Sequence, residues 1–243
     1  MPLTFCHPAI VLPLKKINPN WFSMTGLIIG SMSPDLEYFS RMKIEATHSH
    51  LFLGVLYFDL PLALVYCFVF HMLVRNCILH HLPNYFQQRF VQFLKFDWIS
   101  YFRRNWLIAI ASVIIGGYSH LLWDAFTHEW GYFAKQIPAL QEVWFTHPVE
   151  VKGYKFLQHF STFIGGVFIL NWIHFMPKEG IQKTEFDSSF WLQIFGYTFL
   201  ISLIRFIIFP VEVVLGNIIV VVGMSVFLSL VVLGVKDKVL KNQ

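Results

Sequence analysis

Residues 213–235 read VVLGNIIVVVGMSVFLSLVVLGV and contain no charged side chain. A helix of that length rises about 34 Å, which exceeds the ~30 Å hydrocarbon core of a bilayer. The stretch therefore predicts a membrane-spanning helix. A second apolar stretch, residues 190–209, precedes it, and only Pro210, Val211 and Glu212 separate the two. That short, proline-containing link fits a tight reversal between two neighbouring spans.

The composition of the whole chain agrees with this interpretation. Of its 243 residues, 56% are hydrophobic, 18% are aromatic and 13% are charged, whereas soluble proteins carry about 25% charged residues. These values exclude a soluble globular enzyme and a disordered segment. Three cysteines without a CxxC pair exclude a disulfide scaffold. The formal net charge of +4 is mild and spread out, so we expect no nucleic-acid partner.

Three further apolar stretches, residues 51–74, 106–126 and 156–176, bring the predicted number of spans to five. Residues 21–32 are also apolar, but twelve residues are too short to cross a bilayer, which indicates a re-entrant or buried segment. We find no internal repeat and no linker. The sequence therefore predicts an all-α, multi-pass transmembrane helical bundle that forms one integral membrane domain over residues 1–243.

Five spans place alternate connections on opposite sides of the membrane. The first side holds residues 1–50, residues 127–155 and the turn near residue 210, and the second side holds the remaining connections and the tail from Lys236. The second side carries ten Lys and Arg residues and the first carries seven. The positive-inside rule therefore favours the second side as the cytoplasmic one.

Ionisable groups near the end of the second span form a regular pattern. Residues 119–128 read SHLLWDAFTH, in which His120, Asp124 and His128 are spaced i, i+4, i+8 and so lie on one helical stripe. Imidazole and carboxylate at this spacing can offer two ligands to one divalent ion. The alternative is a hydrogen-bonded His–Asp pair that holds two helices together.

Other imidazoles and carboxylates fall on the same predicted side of the membrane. These candidates are His7, Asp35, His48, His50 and His159. Together with the stripe they supply the ligand types of zinc or a mixed divalent centre, in numbers sufficient for two ions. We therefore predict a divalent metal site, with zinc as the expected metal and one or two ions bound.

A metal site of this kind predicts hydrolytic chemistry. One or two divalent ions lower the pKa of a bound water and polarise a phosphoryl or acyl oxygen. Asp35, His128 and His159 are the candidates for a general base or for groups that orient the ligands. Ser33 and Pro34 are expected to end the preceding apolar helix and aim Asp35 inward.

Two other classes of function stay open at this point. A transporter or cation-binding permease would use the same groups to coordinate its cargo, but its site is expected near the bilayer midplane between repeated halves. A structural membrane protein would use the His–Asp network only to hold its helices together. We expect membrane lipid as a partner in every case, and a lipid-linked phosphoester as the substrate of a hydrolase.

Four motifs carry a family resemblance: FCHPA at 5–9, GSMSPDLEY at 30–38, THSH at 47–50 and SHLLWDAFTH at 119–128. Over almost the whole chain they resemble a bacterial integral-membrane family catalogued as a domain of unknown function, which implies the bacterial inner membrane. Their order is more distantly similar to inner-membrane metal-dependent hydrolases and to the zinc-dependent phospholipase C and nuclease group, whose phospholipases are soluble. That likeness implies metal-ligand roles for the following residues: His7, Asp35, either His48 or His50, His120 and Asp124.

Overall fold

The computed structural model describes residues 3–180 and 187–241. It is 76% helical, and the strands in the described ranges form one antiparallel ribbon, β1 (Val143–Phe145) with β2 (Val151–Lys152). The predicted all-α class is therefore confirmed. The helices of the described residues are, in chain order, α1 Pro8–Ile17, α2 Met24–Arg41, α3 Val55–His81, α4 Asn84–Phe90, α5 Trp98–Thr127, α6 Tyr132–Gln136, α7 Pro138–Gln141, α8 Gly153–His174, α9 Ser188–Ile208 and α10 Leu215–Lys241.

Five segments of the described chain are helical, long and apolar enough to cross a membrane, which confirms the predicted number of spans. They are Val55–His81, Trp98–Gln136, Gly153–His174, Ser188–Ile208 and Leu215–Leu240. The short apolar segment at residues 21–32 belongs to α2, where Leu27 is completely buried. This placement agrees with a buried helical segment outside the five spans.

Local sequence signals explain where several helices begin. Pro8 occupies the first turn of α1, where its missing N–H costs no hydrogen bond. Asp187 caps α9, because its carboxylate accepts from the backbone N–H of Phe190 at 3.0 Å. Asp97 precedes α5 and accepts in the same way from the backbone N–H of Ser100 at 3.1 Å.

The prediction that Pro34 ends a helix is wrong. Helix α2 continues through Pro34 to Arg41. A proline inside a helix deprives the carbonyl four residues earlier of its donor, and that carbonyl here belongs to Gly30. The hydroxyl of Ser33 donates to the Gly30 carbonyl at 2.8 Å and replaces the missing hydrogen bond. Asp35 is therefore presented from a continuous helix.

The chain divides into two compact units. The first comprises Met1–Asp35, His48–Leu64 and Asn105–Phe175, and the second comprises Leu36–Thr47, Val65–Arg104 and Met176–Gln243. In the second unit, α9 and α10 are joined by two hydroxyl pairs, Thr198 with Ser229 at 3.2 Å and Ser202 with Ser225 at 3.0 Å. The single-domain organisation of the chain stays a prediction.

In the first unit, α2 and α5 pack backbone against backbone. A β-carbon on Gly30 would lie 2.4 Å from the carbonyl oxygen of Val113, and one on Gly116 would lie 2.5 Å from the backbone nitrogen of Ser31. A β-carbon on Gly26, four residues before Gly30, would also approach α5 closely. Small residues at this spacing let membrane helices approach closely. This seam positions the polar groups described next.

Candidate metal centre

The polar residues of α5 follow directly after the glycine contact between α2 and α5. His120 lies one turn after Gly116, and its Nδ1 lies 2.8 Å from the carbonyl oxygen of Ser31. A carbonyl oxygen only accepts, so Nδ1 carries the proton and donates it. In the neutral ring, Nε2 then presents a lone pair, which is the form of imidazole that binds a metal.

Four side-chain atoms around this lone pair alternate between nitrogen and oxygen. The Nε2 atom of His120 lies 3.3 Å from Oδ2 of Asp124 and 3.8 Å from Oδ1 of Asp35. The Nε2 atom of His50 lies 3.3 Å from the same Asp35 oxygen and 3.7 Å from the same Asp124 oxygen. Both carboxylates and His120 are buried. Two imidazoles and two carboxylates therefore meet at one point of the first unit.

His7 completes the group from the N-terminal segment. Its ring stacks on His120 with centroids 3.8 Å apart. Both ring nitrogens of His7 are buried, and no hydrogen bond reaches them within the described residues. Burial, together with the His120 imidazole, lowers the pKa of His7 to about 3, so the ring is neutral at pH 7. A neutral, buried imidazole with uncommitted nitrogens is suited to a metal.

Asp35 is held with one oxygen facing the cluster. The hydroxyl of Thr4 donates to Oδ2 at 2.6 Å, which leaves Oδ1 towards the imidazoles of His50 and His120. Burial raises the pKa of this carboxyl, but attraction to His120 in its protonated form outweighs that effect, and the net pKa of Asp35 lies below its usual value. Asp35 is therefore an anion, and the hydrogen bond from Thr4 to its Oδ2 atom fixes its orientation.

His50 reaches the cluster from a tight loop. Its φ of 60° lies in the left-handed region, which costs a residue with a β-carbon roughly 1–2 kcal/mol. The loop is closed at Gly54, where a β-carbon would lie 2.1 Å from the carbonyl oxygen of His48. Strained backbone of this kind persists where the surroundings enforce it, and it is concentrated at functional sites.

His128 contacts Asp124 and is itself fixed by a neighbour that the sequence did not single out. Lys155 donates to Oε1 of Gln158 at 2.5 Å, which turns the amide nitrogen of Gln158 towards Nε2 of His128 at 3.2 Å. The Nδ1 atom of His128 then carries the proton and lies 3.3 Å from Oδ1 of Asp124. The same Nδ1 atom also lies 3.3 Å from the backbone carbonyl oxygen of Asp124, so His128 borders the cluster as a ring fixed by Gln158 and by its own helix.

The structure does not bring two of the predicted site residues to the cluster. His48 is exposed, and its Nδ1 lies 3.4 Å from the hydroxyl of Tyr57. His159 is exposed on α8, whereas the preceding residue, Gln158, is buried and reaches His128. Two histidines close to cluster residues in the sequence thus lie apart from it, because a helix or a tight turn presents neighbouring side chains in different directions.

The remaining residues fit a divalent cation. Two groups of three have ligand atoms within 4.8 Å of one another, His7 with Asp35 and His120, and His50 with His120 and Asp124. A tetrahedral zinc ion with bonds of ~2.0 Å separates its ligand atoms by about 3.3 Å. Two of the four nitrogen–oxygen contacts already have that length, and the other two need a contraction of about 0.4–0.5 Å to reach it.

A comparison with family models matches residues 1–235 to a domain of unknown function, DUF4184. The chain belongs to the DUF4184 family. No curated protein and no solved structure matches it. Family membership confirms the predicted resemblance to a domain of unknown function over almost the whole chain, and the more distant likeness to metal-dependent hydrolases stays a prediction.

His50 lies at the cluster and His48 does not, so substitutions of the two residues should affect metal binding differently. We expect His50→Asn to weaken zinc binding at least about 100-fold, since even an outer hydrogen-bond partner of a ligand is worth 10- to 100-fold. Asparagine tolerates the left-handed backbone at this position, so the loop is preserved. The matched variant His48→Asn should bind zinc like the wild type. Competition with a chromogenic chelator measures both affinities, and a larger loss in His48→Asn contradicts the assignment.

Proposed function

We propose that this protein is a membrane-embedded, metal-dependent hydrolase that acts on a phosphoester, with a lipid-linked phosphoester as the substrate class. The observation that carries the proposal is the alternation of two imidazole nitrogens and two carboxylate oxygens at 3.3–3.8 Å. One or two divalent cations, with zinc as the expected metal, account for it. The bacterial inner membrane is the setting that the family resemblance implies.

The strongest competing explanation places a proton where we place a cation. A protonated His120 between Asp35 and Asp124 would form a structural ion pair with similar distances. However, His120 Nε2 lies 3.3 Å from the nearer carboxylate oxygen, whereas a charge-assisted N–H···O hydrogen bond is about 2.7–2.9 Å long. An N–H donor gains its energy from alignment, whereas a cation at the centre satisfies all four atoms without it. This difference supports the metal.

The cluster residues divide into ligands and groups that support them. We assign Asp35, His50, His120 and Asp124 to the metal, and His7 as a further ligand. Thr4 holds Asp35 through a hydrogen bond, and Gln158 holds the ring of His128 beside Asp124. A bound divalent cation supplies a water of lowered pKa and polarises the phosphoryl oxygen.

We favour a phosphoester as the substrate because the five candidate ligand side chains are enough to hold two cations. These side chains form two groups of three that share His120. The carboxylates of Asp35 and Asp124 can each bridge two ions, and paired cations suit displacement at phosphorus. The membrane-spanning character of the chain then makes a lipid-linked phosphoester the natural substrate.

Hydrolysis assays on the purified, metal-loaded chain test the proposal. We expect release of phosphate or of a phosphorylated headgroup from phospholipid in mixed micelles, and cleavage of bis(p-nitrophenyl) phosphate. Chelation and the Asp35→Asn, Asp124→Asn double variant should each lower kcat/KM by at least about 1,000-fold, since catalysis by the cation is then lost. His159→Ala, which removes an exposed histidine outside the cluster, is the matched control and should retain full activity. Failure of the metal-loaded chain to cleave any phosphoester contradicts the proposal.

A further inference from the structure

A second cluster of polar groups lies in the second unit, in a pocket of about 340 Å³. Three basic side chains line it, Arg75 of α3, Lys95 of the α4–α5 connection and Lys238 of α10. Three different segments of the chain thus contribute one positive charge each. The connections on this side carry the larger number of Lys and Arg residues, which favours a cytoplasmic position.

Arg75 is buried and preoriented. Its Nε donates to the Asn76 side chain at 2.9 Å, and its Nη1 donates to the Phe96 carbonyl at 2.5 Å and to Nδ1 of His71 at 3.2 Å. A longer contact of 3.4 Å joins Nη2 to the Leu94 carbonyl. These contacts within the described residues use four of the five guanidinium N–H groups. The side chain is therefore fixed without a carboxylate partner in these contacts and keeps its positive charge available to an anion.

Trp98 supplies an independent indication of a ligand. This side chain lines the pocket and stacks on His71, with ring centroids 4.9 Å apart. Trp98 is 98% buried, yet its indole N–H has no hydrogen-bond partner within the described residues. Buried donors are almost always satisfied, and an exception points to a group that the protein alone does not provide.

The acidic residue of the lining does not neutralise the pocket. Both carboxylate oxygens of Asp97 accept hydrogen bonds from Ser100, one from its backbone N–H at 3.1 Å and one from its hydroxyl at 2.5 Å. Asp97 therefore serves as the cap of α5, and its charge is directed at the helix N-terminus. Against three basic residues it leaves a net charge of +2 on the lining, from +3 and −1.

We propose that this pocket binds the phosphate group of an anionic ligand. A guanidinium held in place and two flexible ammonium groups are donors that match phosphate oxygens, and Trp98, whose indole N–H is unpartnered within the described residues, lies in the same lining. Basic pockets between membrane helices on the cytoplasmic side bind the headgroups of anionic lipids. The phosphate belongs either to such a headgroup or to a free phosphate compound. The proposal does not depend on the metal-dependent hydrolase activity.

Native mass spectrometry of the full chain in detergent tests this binding with defined probes. We expect retention of phosphatidylglycerol in preference to phosphatidylcholine. The Lys95→Ala, Lys238→Ala variant should weaken phosphatidylglycerol binding about 10- to 30-fold, because two basic side chains near the phosphate are removed. The Arg103→Ala, Lys236→Ala variant removes the same charge from residues outside the pocket lining and should leave binding unchanged. Trp98→Phe keeps the ring and removes only the N–H donor, with an expected loss of about 3- to 10-fold.

Inorganic phosphate distinguishes the two sources. Displacement of phosphatidylglycerol by millimolar phosphate supports recognition of the phosphate group alone and so a free phosphate compound. Persistence of lipid binding in its presence, with the same dependence on Lys95 and Lys238, supports a lipid headgroup. Equal retention of the two lipids, or an equal loss in the two double variants, overturns the proposal, because the pocket then has no specific role.

Discussion

In the Asp35→Asn, Asp124→Asn double variant, thermal unfolding should no longer respond to chelation. The substitutions keep the size of both side chains and remove the two negative charges that face the imidazoles. For the wild type, a cation present at 1,000 times its Kd stabilises the folded chain by about 4 kcal/mol. At roughly 2–4 °C per kcal/mol for a chain of this size, chelation should lower the wild-type Tm by about 8–16 °C.

The matched control is Asp237→Asn, which removes one carboxylate from α10, outside the cluster. This variant should retain the full chelator-dependent change in Tm. A purely structural His–Asp network gives a different pattern, in which the double variant is less stable than the wild type and chelation alters neither protein. A wild-type Tm that is insensitive to chelation contradicts the metal assignment.

Gly30→Ala should disrupt the fold and the site together. The new methyl group would lie 2.4 Å from the Val113 carbonyl oxygen and 2.7 Å from its Cα. Because these are backbone atoms of α5, relief requires the helices to separate. Overpacking of this kind costs about 1–3 kcal/mol, and occasionally more. Zinc affinity should also fall, because the adjacent Ser31 carbonyl orients His120.

Thermal unfolding in detergent and zinc competition measure the two effects of Gly30→Ala. Gly196→Ala is the control, since a β-carbon at Gly196 of α9 meets no atom within 4 Å; it should leave the zinc affinity unchanged and leave the Tm equal or slightly higher, because alanine favours a helix over glycine by up to about 1 kcal/mol. A Tm and a zinc affinity of Gly30→Ala that equal those of Gly196→Ala would contradict the close approach of α2 and α5.

The fold class follows from the sequence because the bilayer imposes a length and a polarity on every spanning helix. The uncharged residues 213–235 alone identify a membrane-spanning helix, and four further apolar stretches give the total of five spans. The continuation of α2 beyond Pro34 does not follow from the sequence pattern, because it depends on the Ser33 hydroxyl replacing the missing backbone donor. The small-residue pair Gly26 and Gly30, spaced i and i+4, is a sequence signal of this close helix packing.

The sequence predicts those site residues whose relative positions follow from their spacing along one helix or from a motif. His120 and Asp124 share a stripe of α5 and do meet, and His7 and Asp35 join them. The sequence does not distinguish His48 from His50, because a loop has no periodicity from which the direction of a side chain can be inferred. The same limit applied to His159, whose exposed ring contrasts with the buried Gln158 before it. Thr4 was missed because a hydroxyl in an apolar segment has no distinguishing pattern.

Elemental analysis of the wild-type chain, purified without chelators after expression in medium containing zinc and manganese, tests the central claim most directly. The arrangement of His7, Asp35, His50, His120 and Asp124 predicts one or two divalent ions per chain, with zinc the expected metal. Purified protein that is folded and carries no stoichiometric divalent metal would contradict the account.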